Sequence, residues 1–275
     1  MDNGLIKICF KNDLNLITGT FPQITAWIVS LAESDRNSNP QIISHINVFN
    51  YNRMQMNTEL ADEMKINNNL LFDGIGFKIA SAILGYGWLP DLNGTDLFPL
   101  VMKQASEKKL SLYCLGAKED VIDAAVKNIK KTYSGVRITG FRSGYFDKKD
   151  EAKIVDDINN SNAQILLIGR NFLQQEEFAL RHREKLNVSL IWNVGGLYNF
   201  ISETVPRAPL IFRKLRLEWL FRFLIEPRRM WYRNIIAAPL FIFNIIGFRL
   251  KYFFSRRGNT KSQKPAIRKL DADNL

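Results

Sequence analysis

Through the first two hundred residues, short apolar runs alternate with segments whose apolar positions recur at helical spacing. The runs Leu5–Phe10, Ile42–Phe49, Leu70–Phe72, Leu110–Leu115, Arg137–Phe141, Gln164–Ile168 and Ser189–Val194 predict strands. Helices are predicted over Ile24–Ser34, Met54–Lys65, Lys78–Leu84, Thr95–Lys108, Asp120–Thr132, Glu151–Asn159 and Gln174–Glu184. Most of the strand runs are nearly continuous in apolar character rather than alternating, which implies burial on both faces. The predicted fold class is therefore α/β, a Rossmann-like parallel sheet with helices on both faces. Ligands of such sheets bind beyond the carboxyl ends of the strands. Three predicted loops there carry glycine: Asp73-Gly74-Ile75-Gly76, Leu115-Gly116-Ala117 and Gly195-Gly196.

After Pro206 the pattern changes to amphipathic helix punctuated by arginine. Proline is costly inside a helix, so Pro227 and Pro239 predict three short helices, over 208–225, 228–236 and 240–254. From Ser255 the chain has little apolar content and reads as a disordered tail. The division is thus an α/β body over 1–204, a basic amphipathic appendage over 205–254 and a tail over 255–275. The longest apolar stretch, Ile235–Phe248, has 14 residues and contains Pro239 and Asn244. A spanning helix needs about 20, so burial or insertion at a membrane surface is expected instead.

With 275 residues, 46% of them hydrophobic, the chain can bury a substantial core. Its formal charge of +11 is concentrated at one end: residues 205–275 hold 16 Lys/Arg against 4 Asp/Glu, and the rest holds 22 against 23. A near-neutral body with one basic, aromatic-rich segment points to docking rather than to general nucleic-acid binding. Nucleic acid also gives no reason to expose the apolar run that follows the arginines. Cys9 and Cys114 lie in apolar runs and fit buried free thiols better than a disulfide framework. Two histidines, His45 and His182, are too few and too far apart for a histidine-based metal site. The opening MDNGLIKICF has no long apolar core of the secretory type.

Asp73 is the acidic residue of most chemical interest. It follows Leu70-Leu71-Phe72 and precedes a glycine loop that opens a helix, where partial desolvation can tune a carboxylate as a general base. The plainer reading is an N-cap for that helix. Gly74 and Gly76 lack the third glycine of a dinucleotide fingerprint but suit close approach of an anion. On a continuous helix Arg222, Arg229 and Arg233 would share one stripe beside Trp219, Phe221, Phe223 and Trp231. Such a stripe suits an anionic lipid surface or a diphosphate, and equally a solvated face.

The order of motifs resembles the WecG/TagA/CpsF family of bacterial glycosyltransferases from about Ile42 to about Leu250. The most specific block is Arg207-Ala208-Pro209, Leu217-Glu218-Trp219-Leu220-Phe221-Arg222 and Glu226-Pro227-Arg228-Arg229. Upstream, Phe72-Asp73-Gly74-Ile75-Gly76, Gly94-Thr95-Asp96, Gly144-Tyr145-Phe146, Gln175-Glu176 and Val194-Gly195-Gly196 fall in the family's order.

The resemblance implies an inverting transfer of a sugar from a UDP-sugar to a polyprenyl-diphosphate-linked acceptor in cell-surface polysaccharide synthesis, without a cofactor or bound metal. Asp73 takes the place of the base. Asn50, Gly74, Gly76, Gly116, Gln175, Gly195 and Gly196 fall to the donor. Arg207, Arg222, Arg229 and Arg233 fall to the acceptor diphosphate and an anionic membrane surface, which implies a peripheral protein on the cytoplasmic face of the inner membrane. Nucleic acid is not an expected partner, and homo-oligomerisation is left open.

The chain also departs from the family pattern. Asp91 stands roughly where an arginine is usual, and Asn171 and Leu173 replace a glycine and a proline. Asn199 replaces an aspartate, and Val48 a common threonine. Arg170 adds a cation near the expected donor loop. These departures imply a changed donor sugar or, as the alternative, an inactive relative that binds a lipid-linked glycan or scaffolds a synthase complex.

Overall fold

The computed structural model describes residues 5–10, 14–36, 39–209, 211, 212, 215, 217–258 and 267–269. The side chains of Cys9, Phe10, Asn67, Asn68 and Arg229, and those from position 252 onward, lie outside the described part. The core is a nine-stranded sheet. Its strands are β1 (Ile6–Phe10), β2 (Leu14–Thr18), β3 (Gln41–Ile46), β4 (Asn68–Phe72), β5 (Ser111–Gly116), β6 (Arg137–Arg142), β7 (Ile165–Gly169), β8 (Leu190–Asn193) and β9 (Ile267–Lys269). Their order across the sheet is β6-β5-β7-β8-β3-β4-β2-β1-β9.

Pairing is parallel from β6 to β2, and β5, β7 and β8 are buried along their whole length, as continuous apolar strands require. The sheet is not wholly parallel. β1 and β2 form an antiparallel hairpin, and β9 pairs antiparallel with β1. The stretch read as a tail therefore returns to the sheet edge at 267–269, while 259–266 and 270–275 lie outside the described residues.

The helices are α1 (Phe21–Glu33), α2 (Val48–Gln55), α3 (Thr58–Asn67), α4 (Ile75–Leu84), α5 (Gly94–Glu107), α6 (Glu119–Thr132), α7 (Glu151–Asn160), α8 (Phe172–His182) and α9 (Leu197–Ile201). The single helix expected over Met54–Lys65 is two: α2 opens directly after β3 behind the cap Asn47, whose side chain accepts the Asn50 N–H at 3.0 Å. One face of the sheet packs Trp27, Val101, Ile122 and Trp192 from the α1, α5 and α6 side. The opposite face divides into two clusters, one around Ile46, Phe72, Phe77 and Phe172 and one around Ile154, Leu166 and Phe178. Strand alternation sends successive β3 residues to opposite faces: Ser44 meets α8 and His45 meets the start of α5.

The C-terminal region contains α10 (Glu218–Ile225), α11 (Pro227–Trp231), a π-helical turn over Tyr232–Ala237 and α12 (Ala238–Gly258). Pro227 breaks the chain as expected, since α10 ends before it and it opens α11. Pro239 does not break it. The helix widens just ahead, with Ala238 donating its N–H to the Arg233 carbonyl. That turn relieves the clash and missing donor that proline brings to an α-helix. Tyr232–Lys251 is consequently 20 helical residues of mean hydropathy 1.4, long and apolar enough to cross a membrane, where the sequence count gave 14. Its inner side is committed to protein: Phe241 and Ile245 are buried, and the Phe241 ring lies 5.4 Å from Tyr51 on α2 and 5.2 Å from Phe77 on α4. Leu240, Phe243, Ile246 and Leu250 face outward.

Candidate functional site

Asp73 stands between β4 and α4, and its N–H donates to the Ile46 carbonyl at 2.9 Å, which registers it beside the end of β3. It does not cap the helix. The N-cap of α4 is Gly74, at φ +98, and no side chain closes that helix end. Among the described residues no hydrogen bond engages the Asp73 carboxylate. The loop is fixed from behind by Asp91, whose Oδ1 accepts the Gly74 N–H at 2.8 Å. Gly76 serves packing, since a Cβ there would meet Val48 Cγ2 at 2.4 Å.

Beneath this loop His45 is buried and its Nε2 accepts the Trp192 indole N–H at 3.0 Å. Its Nδ1 faces the Leu92 backbone without completing a hydrogen bond of normal geometry. Burial lowers its pKa, opposed by the Asp73 charge and the Leu92 backbone. A neutral imidazole under the base leaves the carboxylate without a cationic partner on that side.

A buried polar network crosses β3, β8 and α8. Glu176 is fully buried, and its Oε2 accepts from Ser44 Oγ at 2.7 Å and from Asn193 Nδ2 at 2.9 Å. Gln175 donates to Glu176 Oε1 at 3.2 Å, and its own Oε1 accepts the Gly195 N–H at 2.9 Å. Gln175 thus acts inside the protein as a clamp between α8 and the loop after β8. Gly195 has φ +58, a conformation glycine adopts without strain. Sequence reasoning assigned no role to Ser44, Glu176 or Asn193. Their signal was a polar residue inside or beside an apolar run.

Gly116 lies hard against the end of β7, because a Cβ there would lie 2.3 Å from the Gly169 carbonyl oxygen. A Cβ on Gly169 would in turn meet the Tyr198 ring at 2.4 Å. Gly196 caps α9, near Asn199. Asn50 sits in the first turn of α2, and from the next turn Arg53 reaches across to Asn171 Oδ1 at 3.4 Å. Among the described residues no three His, Cys, Asp or Glu side chains converge as a cation site.

A family model, described as the glycosyl transferase WecG/TagA/CpsF family, matches residues 12–254. The chain belongs to that family. Its relatives include three proteins named N-acetylglucosaminyldiphosphoundecaprenol N-acetyl-beta-D-mannosaminyltransferase. The one from Bacillus spizizenii is 29% identical over 173 residues, 63% of this chain and 66% of its own. The Bacillus subtilis protein is 26% identical over 185 residues, covering 67% of this chain and 71% of its own. A Staphylococcus aureus protein is 27% identical over 208 residues, 76% and 77% of the two chains.

In this WecG/TagA/CpsF member Arg222 and Arg233 lie on separate helical segments, not on one continuous helix. Arg207 pairs with Asp96 at the start of α5 and so ties the appendage to the body. Arg222 pairs with Glu218 at 2.9 Å and lies 4.8 Å from the centroid of Phe200. Arg233 falls on the π-helical turn, and the Arg229 side chain lies outside the described residues. Pro227 supplies the reason, since it separates α10 from α11 and ends the continuous helix that a common stripe requires.

Proposed function

We propose that this family member transfers a sugar from a UDP-sugar to a hydroxyl of a polyprenyl-diphosphate-linked acceptor, at the cytoplasmic surface of the inner membrane, in cell-surface polysaccharide synthesis. Asp73 is the base. It takes the proton of the acceptor hydroxyl while that oxygen attacks the anomeric carbon from the face opposite the leaving diphosphate, which inverts the centre and releases UDP. The observation that carries this reading is the double duty of α4. The helix begins two residues after Asp73, and its Phe77 receives Phe241 of α12. A carboxylate that no hydrogen bond engages among the described residues and the outward apolar face of α12 are thereby linked through one short element, and a lipid-linked acceptor calls for both. Apolar insertion near Phe243 together with the basic charge would hold the protein at an anionic surface. The relatives, whose names specify a lipid-linked diphosphate acceptor, support the same class of acceptor.

The test is transfer by the purified full chain from a panel of UDP-sugars to undecaprenyl-diphosphate-linked mono- and oligosaccharides. Asp73→Asn is expected to lose roughly a hundredfold to ten-thousandfold in rate while binding UDP as before. Retained turnover in that variant removes Asp73 as base. A wild type that binds the lipid-linked glycan but neither transfers nor hydrolyses any donor establishes the scaffold reading instead.

A further inference from the structure

At the carboxyl ends of β5 and β7 three loops meet around Arg170. Ala117 donates its N–H to the Gly169 carbonyl at 3.0 Å, and Gly144 donates to the Ala117 carbonyl at 2.9 Å. A Cβ on Gly144 would sit 2.8 Å from Gly116 Cα and 3.0 Å from Arg170 Cγ, so the arginine stem runs through a gap that only glycine leaves open. The guanidinium lies 3.9 Å from the centroid of the Phe146 ring. Its Nε is buried without a partner among the described residues, while the residue as a whole is only partly buried. Burial works against its charge. The two carboxylates near enough to offset that cost are engaged elsewhere: Arg181 holds Glu151 at 2.8 Å and Glu177 at 3.9 Å, and His182 also meets Glu151 at 2.8 Å.

A half-buried cation that forms no ion pair among the described residues is costly until an anion completes its coordination. A guanidinium held over an aromatic ring offers its outer N–H groups as a fork that matches phosphate oxygens. We propose that Arg170, held in place by Phe146, binds the diphosphate of the nucleotide-sugar donor. This rests on the glycosyltransferase reading above and adds a residue to it. The donor rather than the lipid is the source of the diphosphate. β7 is separated from β4 by β8 and β3, three strand spacings or roughly 14 Å, whereas the apolar face of α12 lies over α4 on the β4 side. As the bond from the sugar's anomeric carbon to the phosphate oxygen breaks, the electron pair passes to that oxygen, and Arg170 meets the charge that develops.

The experiment is calorimetric titration of the full chain with UDP, uridine and farnesyl diphosphate, for wild type, Arg170→Ala and Arg170→Lys, with melting curves to report folding. Arg170→Ala is expected to weaken UDP roughly tenfold to a hundredfold, the loss typical of one charge-assisted contact. Uridine and farnesyl diphosphate are expected to bind as in wild type, and Arg170→Lys to recover part of the loss. If Arg170→Ala does not fold, Phe146→Leu frees the guanidinium while keeping its charge, and a smaller loss for UDP alone is expected. Unchanged UDP affinity makes Arg170 a staple between loops and overturns the proposal. Equal losses for UDP and uridine also overturn it, and a loss confined to farnesyl diphosphate reassigns Arg170 to the acceptor. A wild type that binds neither UDP nor uridine removes the donor reading itself, whatever the variants do.

Discussion

The Asp91 carboxylate accepts the backbone N–H of Gly74 at 2.8 Å, so the residue that replaces an expected arginine holds the loop of the candidate base. Where the resemblance implies a cation, the chain has a brace. Asp91→Ala leaves that N–H without its acceptor, at a cost of about 1 to 3 kcal/mol. The turnover number is expected to fall while UDP affinity stays unchanged, and Asp91→Asn, which keeps an acceptor oxygen, is expected to retain more activity. Steady-state kinetics beside UDP titration separates the two effects.

The two sides of α12 are expected to respond differently to mutation. Phe241 is 1% exposed and packs between Tyr51 and Phe77, whereas Phe243 is 71% exposed. Phe241→Ala removes a buried ring, a change that costs about 3 to 5 kcal/mol, and should lower the melting temperature. Phe243→Asp should leave the melting curve alone and reduce sedimentation with anionic vesicles. Vesicle binding that survives Phe243→Asp together with Leu240→Asp would show that this face is not the lipid contact.

The stability of the fold should depend on pH through His45. Burial holds its folded-state pKa below the ordinary 6.5, so between those two values the unfolded chain binds a proton that the folded chain does not. The stabilisation is fully present above 6.5 and is lost as pH falls toward the folded value. His45→Gln is expected to flatten the fall in unfolding free energy below that pH, measured by urea denaturation across the range.

Cys114 should be chemically silent in the native protein. It is fully buried, and burial pushes its thiol up to about 12, so almost no reactive thiolate exists at neutral pH. Iodoacetamide at pH 8 is expected to leave the Cys114 peptide unmodified until denaturant is added, read by mass spectrometry.

The interior of the sheet was legible in the sequence because each central strand is a short apolar run bounded by turn-forming residues. β3 to β8 fall where the pattern puts them, and with them the loops of Asp73, Gly116 and Gly195. β2 was missed because Leu14–Thr18 is joined to β1 by only three residues and completes a hairpin at the edge of a sheet read as wholly parallel. The break at Pro239 was wrongly expected because proline propensity describes an α-helical turn, and the chain uses a π-helical one. Gln175 was found through its motif, but its partner Gly195 emerges only when α8 and the loop after β8 are brought together. Asp91 was noticed as a missing arginine. Its hydrogen bond to a backbone amide 17 residues away could not be read from composition or spacing.

The contact between Gly116 and Gly169 limits how this end of the sheet can diversify. Any side chain at Gly116 would collide with the backbone of the neighbouring strand end, and one at Gly169 with Tyr198. Two adjoining positions at the carboxyl ends of β5 and β7 are therefore closed to substitution on steric grounds, and what they form is inherited as a fixed surface. Variation at this end of the sheet is left to the residues that follow the strands, such as Arg170 and Asn171 after β7 and Asn199 on α9. Two of the departures that the resemblance implies, Asn171 and Asn199, fall among these residues, as does the added cation Arg170, so a change there leaves the contacts of Gly116 and Gly169 untouched.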